Sequence, residues 1–407
     1  MMEHFQKIPS EKLQCLNNHM EVKNLMLMTL KKLCILLAIF GIIAFDSADV
    51  KAQNSVSTGV PFLLIGPNSR FGGMGETGTA IADDATAMHW NPSGLAFQNE
   101  GSEINFTHSP WLAGLNIGDL FYDYIAGRTY IKSINGTVGA SLTYLNIGEV
   151  IVTDEFGNAQ PDRNYKAYEM ALALSYATML GKSWGGGIAG RFIYSRLSPN
   201  DVTVGNEQGT GTGISAALDL SALWRPVSGA SFLKNKFSTG MALSNFGPAI
   251  SYVDQDQADP LPTLFRFGFA YEVVKTEFNT LTLTADFSKL MVNRELAVVD
   301  DSGVVLVPGS VDPVYQAIFT SWKGGVSGIA KSFQSSIGAE FWYGSPRLIA
   351  LRAGYFYEDP SYGNRNFFTL GAGIRYSMYG FDFSYLSTIE ENHPLENTLR
   401  FGLQVKF

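Results

Sequence analysis

The stretch Leu399-Arg400-Phe401-Gly402-Leu403-Gln404-Val405-Lys406-Phe407 decides the fold. Its odd-numbered positions are all large and apolar, and the positions between them are polar or glycine. This period of two is typical of a β-strand that has one face in an apolar medium and the other in a polar one. A final aromatic residue such as Phe407 is also typical of outer-membrane barrels, whose assembly machinery recognises it. The stretch therefore predicts one strand of a membrane barrel.

The same alternation recurs from about residue 102 onward, in segments of roughly 10 residues. In one of them, the large apolar residues Tyr168, Met170, Leu172, Leu174 and Tyr176 alternate with small or polar residues. We predict about fourteen such strands, an even number as single-chain bacterial barrels require. They lie near residues 102–109, 119–131, 135–148, 166–179, 183–196, 212–225, 237–247, 262–275, 279–291, 331–344, 347–358, 367–378, 380–388 and 397–407.

The connections between these strands alternate in length. Lys132–Ile134 and Tyr379–Gly380 are short, whereas Glu149–Tyr165 and Val292–Ala330 are long. Outer-membrane barrels have short periplasmic turns and long outer loops, so the alternation favours that class. Pro226–Asn235 is the exception, because it is long on the side where the turns should be short.

After the N-terminal region, the sequence has no run of about 18 apolar residues that could form a membrane-spanning helix. A chain that enters a membrane without such helices must form a closed sheet, because every backbone polar group needs a partner inside the lipid. We therefore predict an all-β protein, a transmembrane antiparallel β-barrel of about fourteen strands in the bacterial outer membrane. A water-soluble β-sandwich is the alternative interpretation of the same pattern.

The N-terminal region predicts two further parts. Lys31 and Lys32 precede a short apolar run and a small-residue cleavage site at Ala52, so residues 1–52 should be an extended export signal that is removed. Residues 102–407 form the predicted barrel. A barrel of this size lies between those filled by side chains and those with an open channel, so we expect residues 53–101 to form a plug in its lumen. The plug residues that we single out are Gly73, Gly75, Trp90, Asn91 and Pro92.

The composition excludes several classes of function. A net charge of −8 argues against nucleic acid as a partner. Both cysteines, Cys15 and Cys34, lie in the predicted export signal, and the remaining histidines have no spacing typical of a metal site. We therefore predict no catalytic, metal or cofactor site, and no enzyme.

Two weak motifs were weighed against that prediction. Gly73, Gly75 and Gly78 match a dinucleotide-binding fingerprint, but no alternation of strand and helix follows them. His108 suggests an outer-membrane lipid hydrolase, but the adjacent Ser109 must point to the opposite face of the strand. Close packing of a plug is the more economical interpretation of the glycines.

Charged residues of both signs occupy the predicted lumen face of the barrel. One interpretation is a network of ion pairs that makes the wall rigid, and the other is a polar path for a substrate; we favour the first, because buried opposite charges usually satisfy one another. The residues are Glu169, Arg191, Asp219, Arg225, Arg266, Glu272, Asp286, Glu340, Arg352, Glu358, Arg375, Asp382 and Arg400.

The sequence resembles a known family over nearly all of the predicted mature chain. Gly338-Ala339-Glu340-Phe341-Trp342-Tyr343, Leu351-Arg352-Ala353-Gly354-Tyr355-Phe356 and Pro394-Leu395-Glu396-Asn397-Thr398-Leu399-Arg400-Phe401 are similar to stretches of the PorV family of the Bacteroidetes type IX secretion system. Val60-Pro61-Phe62-Leu63-Leu64-Ile65 and His89-Trp90-Asn91-Pro92 are similar to the same family. Ser93-Gly94-Leu95 departs from it and looks more like the wider group of FadL-type barrels.

The resemblance implies a FadL-like barrel that binds cargo proteins through their C-terminal signal domain. Such a protein accepts cargo from the SprA (Sov) translocon and delivers it to the attachment complex that contains PorU. The long loop Val292–Ala330 fits this role, because it carries the candidate partner-binding residues Tyr315, Ile318, Phe319 and Trp322. A self-packed lid is the other interpretation of that loop, and a FadL-type channel for hydrophobic small molecules is the alternative function. Outer-membrane lipid is expected around the barrel in either case.

Overall fold

The structure is a computed structural model. It describes residues 57–112, 119–154, 156–198, 202–204, 207–253, 258–295, 298–299, 305–307, 309–390 and 393–407. The predicted export signal, residues 1–52, and residues 53–56 of the predicted plug lie outside the described residues.

Fourteen antiparallel strands form one closed barrel, in which each strand pairs with its neighbours in sequence and the first pairs with the last. This confirms the predicted fold class and strand number. The strands are β1 (Ser102–Pro110), β2 (Phe121–Ile131), β3 (Gly136–Val150), β4 (Tyr165–Met179), β5 (Trp184–Arg196), β6 (Thr212–Trp224), β7 (Phe237–Phe246), β8 (Leu264–Lys275), β9 (Asn279–Leu290), β10 (Phe333–Tyr343), β11 (Ile349–Tyr357), β12 (Asn366–Tyr376), β13 (Tyr379–Thr388) and β14 (Thr398–Lys406).

The helices of the described residues are all short. The α-helices are α1 (Ser69–Gly72), α2 (Ala87–Trp90), α3 (Val314–Thr320) and α4 (Gly325–Lys331), and 3-10 turns cover Pro61–Leu64, Pro92–Phe97, Lys132–Ile134 and Pro161–Arg163. Within residues 80–90, only the last turn, Ala87–Trp90, is helical. In the part of the chain that the structure describes, no helix has the length and apolar character to cross a membrane.

The pleat of the strands separates an outward apolar face from an inward small or polar one. On β4 the outward Leu172 and Leu174 are exposed, whereas the inward Ala171 and Ala173 are buried. Exposed leucines over the middle of a strand are stable only where the surroundings are apolar. The outward face of the barrel is therefore the surface that meets lipid.

Two rows of aromatic rings mark the borders of this lipid-facing band. The outer row consists of Phe121, Tyr144, Tyr168 and Tyr194, with neighbouring ring centroids 5.8–6.0 Å apart. The inner row consists of Trp184, Trp224, Phe237 and Phe269. Tyr194 and Trp184 stand at the two ends of β5, so that the rows lie about 33 Å apart along the strand and about 25 Å apart along the membrane normal at a tilt of about 40°. This is the height of the apolar band expected for an outer-membrane barrel.

The loops lie at one end of the barrel and the tight turns at the other. The long loops are L2 (151–164), L3 (197–211), L4 (247–263) and L5 (291–332), and two of them, L3 and L5, carry three short hairpins. The hairpins pair Val202–Val204 with Glu207–Gly209, Arg294–Glu295 with Ser310–Val311, and Val298–Val299 with Val305–Val307. Ser102 and Phe407 pair with each other at the tight-turn end, which is the periplasmic end of this barrel class. The connection between β6 and β7 remains long for that end.

The assignment of the lipid-facing band predicts that an added charge destabilises the barrel within the band and not in the outer loops. We expect Leu172→Arg, near the middle of the band, to destabilise the folded barrel by about 2–4 kcal/mol, because the guanidinium would lie in hydrocarbon. The measurement is urea unfolding in vesicles, followed by the gel shift of the folded barrel on heating. Leu306→Arg, at an exposed position of L5, is the matched control and should unfold like the wild type; equal effects of the two changes would contradict the assignment of the lipid face.

Candidate functional site: the filled lumen and the outer rim

The N-terminal segment, residues 57–98, runs inside the barrel from its outer end to its periplasmic end. Near its start, the Gly59 amide donates to the Pro260 carbonyl of L4 at 3.0 Å. Near its end, the Gln98 carbonyl accepts a hydrogen bond from Thr137 Oγ1 at the start of β3. Between these points nearly every residue is buried. We call residues 57–98 the inner segment.

A buried charge cluster fixes the inner segment to the wall. The Arg70 guanidinium donates two hydrogen bonds of 2.8 Å to the Glu340 carboxylate on β10. It also pairs with Asp84 at 2.9 Å and with Asp83. Burial alone would lower the pKa of Arg70, but these carboxylates hold it well above its ordinary value. Burial likewise would raise the pKa of Asp83, but Arg70, Arg225 and Arg347 together outweigh burial and lower it.

The cluster continues along the wall through a second arginine. Arg352 on β11 donates to Glu340 at 2.8 Å and to Asp382 on β13 at 2.8 Å. Arg375 pairs with the other oxygen of Asp382 at 2.6 Å. These inward positions were predicted from the sequence, and the ion-pair interpretation of them agrees with the geometry.

Other strands hold the backbone of the inner segment directly. Asp286 Oδ2 on β9 accepts hydrogen bonds from the Gly78 and Thr79 amides at 2.9 and 2.8 Å. Glu103 on β1 accepts from the Ala85 amide at 3.0 Å, and Arg266 on β8 donates to the His89 carbonyl at 3.1 Å. Because these contacts come from strands around the barrel, the segment is fastened on several sides.

The five predicted plug residues all lie in the lumen. A Cβ on Gly73 would stand 2.9 Å from Gly371 Cα, and one on Gly75, which has a φ of +68°, would stand 2.7 Å from the Tyr355 amide nitrogen. Both positions therefore require glycine. This close packing is the structural context of the fingerprint Gly73-x-Gly75-x-x-Gly78. Among the described residues, α1 and not a strand precedes the glycines, and no helix starts directly after them.

The other three plug residues form one turn. The Trp90 ring is buried, and its Nε1 donates to Asn68 at 3.3 Å. Asn91 Nδ2 donates to the Thr79 carbonyl at 2.8 Å and Asn91 Oδ1 accepts from the Ser93 amide, while Pro92 begins the 3-10 turn. It stays a prediction that Trp90, Asn91 and Pro92 close the passage through the barrel.

A cavity of about 930 Å³ lies at the outer end of the lumen, above the inner segment. Its apolar lining includes Leu64, Trp111 and Phe367, and its charged lining includes Lys289. Lys289 is only 4% exposed, and its Nζ lies 5.5 Å from the centroid of the Trp322 ring of L5. Among the described residues no carboxylate forms an ion pair with Lys289.

Three of the four predicted partner-binding residues of L5 are exposed. Tyr315 is 60% exposed, Phe319 on the same helix is 75% exposed, and Trp322 is 40% exposed. Ile318 is half-buried. Sequence reasoning did not single out Val326 on α4, whose side chain is also largely exposed. A loop that packed only on itself would cover these rings, so the exposed side of L5 is an apolar surface.

Neither His89 nor His108 is placed in a catalytic arrangement with its neighbours. His89 is buried in the lumen, and burial, together with Arg266, holds its pKa well below the ordinary value. His108 faces outward and its Nδ1 lies 2.7 Å from Asp123 Oδ1, whereas Ser109 faces inward and donates to the Leu399 carbonyl at 2.7 Å. Within the ranges described, no group of three or more His, Cys, Asp or Glu side chains is placed to bind a metal ion.

The sequence did not predict the inner-segment side of the charge cluster. Arg70, Asp83 and Asp84 lie in a segment without periodicity, so nothing assigned them a face. The one available signal was charge itself: a segment expected inside a barrel carries an arginine and two adjacent aspartates, which need partners there.

The charge cluster predicts a large loss of stability from a single isosteric change. Glu340→Gln leaves Arg70 and Arg352 short of a buried carboxylate, and we expect a destabilisation of about 3–5 kcal/mol, measured by unfolding of the barrel in detergent. The double variant Arg70→Met, Glu340→Gln should lose less unfolding free energy than the sum of the losses in the two single variants. Glu295→Gln, in the exposed pair with Lys323, is the control and should change nothing measurable; additive losses would argue against a direct pair.

Comparison with known proteins gives the family. A model described as type IX secretion system protein PorV matches residues 48–296. The match covers the inner segment and the strands up to β9, whereas the C-terminal stretches that suggested the resemblance lie beyond it. A search of curated proteins gave no significant match.

Solved barrels resemble the chain only distantly. The toluene transporter TbuX of Ralstonia pickettii is 13% identical, with 84% of this chain and 98% of that chain covered and a TM-score of 0.46. The toluene transporter TodX of Pseudomonas putida is 10% identical, with 87% of this chain and 98% of that chain covered and a TM-score of 0.46. A FadL homologue of Pseudomonas aeruginosa is 12% identical, with 84% of this chain and 95% of that chain covered and a TM-score of 0.44. Likeness at this level carries no argument about what this chain does. The family match, in contrast, covers more than half of the sequence, and the chain belongs to the PorV family, the outer-membrane barrel proteins of the type IX secretion system.

Proposed function

We propose that this chain binds secreted cargo through the C-terminal signal domain of the cargo, accepts it from the SprA (Sov) translocon and delivers it to the attachment complex that contains PorU. The observation that carries the proposal is the combination of a filled lumen with an exposed apolar loop at the outer rim. Family membership supports a role in type IX secretion. The exposed apolar surface at the rim supports the part of a carrier.

The lumen argues against passage of a protein through this barrel. Moving the inner segment aside would separate Arg70 from Glu340 and Asp286 from the Gly78 and Thr79 amides. Buried charges that lose their partners cost several kcal/mol each. A folded cargo protein is also wider than a fourteen-stranded barrel, so cargo must be handled at the outer face.

The outer rim offers the surface that such a carrier needs. Tyr315 and Phe319 stand on α3 with most of their side chains in solvent. Large aromatic side chains are the residues that most often dominate the energy of a protein interface. We propose the exposed face of α3, with Trp322 at its end, as the contact for cargo or translocon.

The outer cavity is the second element of the proposed contact. It lies next to L5, has a lining of mixed apolar and charged residues, and holds the ammonium of Lys289, which has no ion-pair partner among the described residues. A segment that inserts apolar side chains there, with an acidic group within reach of Lys289, would satisfy both features. A loop surface and a cavity beside each other give a partner one continuous place to bind.

The test removes the aromatic anchors without removing the loop. The double variant Tyr315→Ser, Phe319→Ser should reduce co-purification of cargo or translocon from native membranes at least about tenfold, which corresponds to a loss of about 1.4 kcal/mol or more. Phe156→Ser in L2, a position that is 81% exposed, is the matched control and should have no effect. Unchanged recovery in the double variant, with the barrel still folded, would remove α3 from the proposal.

A FadL-type channel for hydrophobic small molecules is the second candidate, and the outer cavity of about 930 Å³ is the observation that favours it. A cargo carrier needs a lumen that stays closed, whereas a channel needs a lumen that lets a solute pass. If the inner segment stays fixed, the wild-type barrel should show no stable conductance in a planar bilayer, whereas Arg70→Met should allow transient openings. Steady uptake of an apolar solute into vesicles by the wild type, lost when Lys289 and Trp322 are replaced, would instead favour the channel.

A further inference from the structure

The barrel wall is interrupted between β6 and β7 in its outer half. The two strands pair from Trp224 and Thr239 up to Leu218 and Phe246, where β7 ends, whereas β6 continues to Thr212. Along positions 212–217 the described residues give β6 a strand partner only on the β5 side. Within the lipid-facing band, this gap leaves the side chains along the edge of β6 without a neighbouring strand to pack against.

A β-bulge directs β7 away from its neighbour. Ser244 and Asn245 stand opposite the single residue Asp219 of β6, and Asn245 has a φ of +60°. The Asn245 amide donates to Asp219 Oδ1 at 2.7 Å, and Asp219 is itself paired with Arg191 at 2.8 Å. A bulge bends the strand that carries it. Because buried side chains hold this bulge, the departure of β7 is part of the fold.

After the bulge the chain turns into the lumen. Ser215, which faces inward on β6, donates to the Pro248 carbonyl of L4 at 3.0 Å. Gly247 lies against the Ala216 carbonyl so closely that a side chain would not fit. Ile250 then joins the interior apolar cluster. The described residues of L4 therefore cover the inner side of the gap between β6 and β7, while Ala216 and Leu218 of β6 stay exposed on its outward side.

A cavity of about 1340 Å³ occupies this outward side. Its lining is mainly apolar and comes from Ala216 and Leu218 on β6, Phe246 on β7, Leu261 on L4, and Val314 and Ala317 on α3. The Arg294 and Asp259 side chains, also in the lining, pair with each other at 2.6 Å. We call this cavity the wall notch.

The wall notch opens at the depth of the outer leaflet. Ile214 stands opposite Tyr194 of the outer aromatic row, and Leu218 lies four residues, or two repeats of the pleat, below it on the same face. This places Leu218 about 13 Å further along the strand and about 10 Å deeper along the membrane normal. Leu218 is 58% exposed on the lipid-facing side. The opening of the notch is therefore bordered by hydrocarbon.

We propose that the wall notch holds an acyl chain of an outer-leaflet lipid. An apolar void of this size, left empty, would deprive its lining of dispersion contacts, and water in it would meet apolar side chains on one side and hydrocarbon on the other. An acyl chain satisfies both surfaces and enters without leaving the membrane. The charged side chains of the lining are Arg294 and the three carboxylates Asp259, Glu295 and Asp312. The notch therefore offers no excess positive charge to a phosphate headgroup, and the acyl chain, not the charge of the headgroup, selects the lipid. The inference does not depend on the proposed cargo-binding function.

The test fills the notch from its lipid-facing edge. Ala216→Trp places a large ring in the notch, and Ala140→Trp places the same ring at another exposed, outward alanine, on β3. Protein extracted in mild detergent is examined by native mass spectrometry, after the gel shift has shown that each barrel is folded. We expect a retained lipid on the wild type and on Ala140→Trp, and at least a fivefold lower occupancy on Ala216→Trp.

A second measurement identifies the occupant in the membrane. The protein is reconstituted in vesicles of phosphatidylethanolamine that carries a photoreactive diazirine on one acyl chain. Labelling of peptides that contain Ala216 or Val314, reduced in Ala216→Trp, supports the proposal. Equal lipid retention by both tryptophan variants, labelling spread evenly over the outward face, or detergent as the only retained molecule would overturn it. A benzoylphenylalanine at position 216 that crosslinks to a protein in native membranes would also overturn it, by showing a different occupant.

Discussion

The pairing of β1 with β14 is the constraint on which the rest of the structure depends. Inside hydrocarbon every backbone amide and carbonyl must find a partner within the protein, so a sheet can enter the membrane only when its two edges meet. Ile104 and Phe106 of β1 stand opposite Val405 and Leu403 of β14. Closure then fixes which side chains point outward, and the alternation of the sequence becomes a lipid face and a lumen face.

Closure also creates the problem that the inner segment solves. A barrel of fourteen strands encloses more space than its own inward side chains fill, and many of those side chains are charged. The inner segment brings Arg70 to the Glu340 carboxylate and backbone amides to Asp286. The wall and the segment are therefore complementary in charge, and neither is satisfied without the other. A lumen held in this way is rigid, which moves the adaptable surface of the molecule to its outer rim.

The sequence predicted the parts that repeat and missed the parts that occur once. Fourteen strands, their faces and the inward charges follow from a period of two, because each strand of a barrel separates the same two environments. Arg70 and Asp84 have no such period, and their partners lie far away in sequence, so their ion pairs could not be predicted. The bulge at Asn245 was also invisible, since one extra residue in a strand alters the alternation no more than an ordinary polar substitution does. The predicted plug glycines lie in the lumen, but the contacts that require glycine there, such as the Tyr355 amide beside Gly75, come from distant parts of the chain and could not be predicted.

The two irregular features of this barrel lie on the same side of it. L4 turns inward after Asn245 and covers the start of the inner segment, while α3 of L5 borders the space that β7 leaves. A regular wall would have continued β7 beside β6 and closed this space. Because β7 leaves the wall, α3 borders an apolar gap, with Ala317 buried and Phe319 exposed. The bulge at Asn245 therefore shapes both the wall and the part of the outer rim that carries the proposed contact surface.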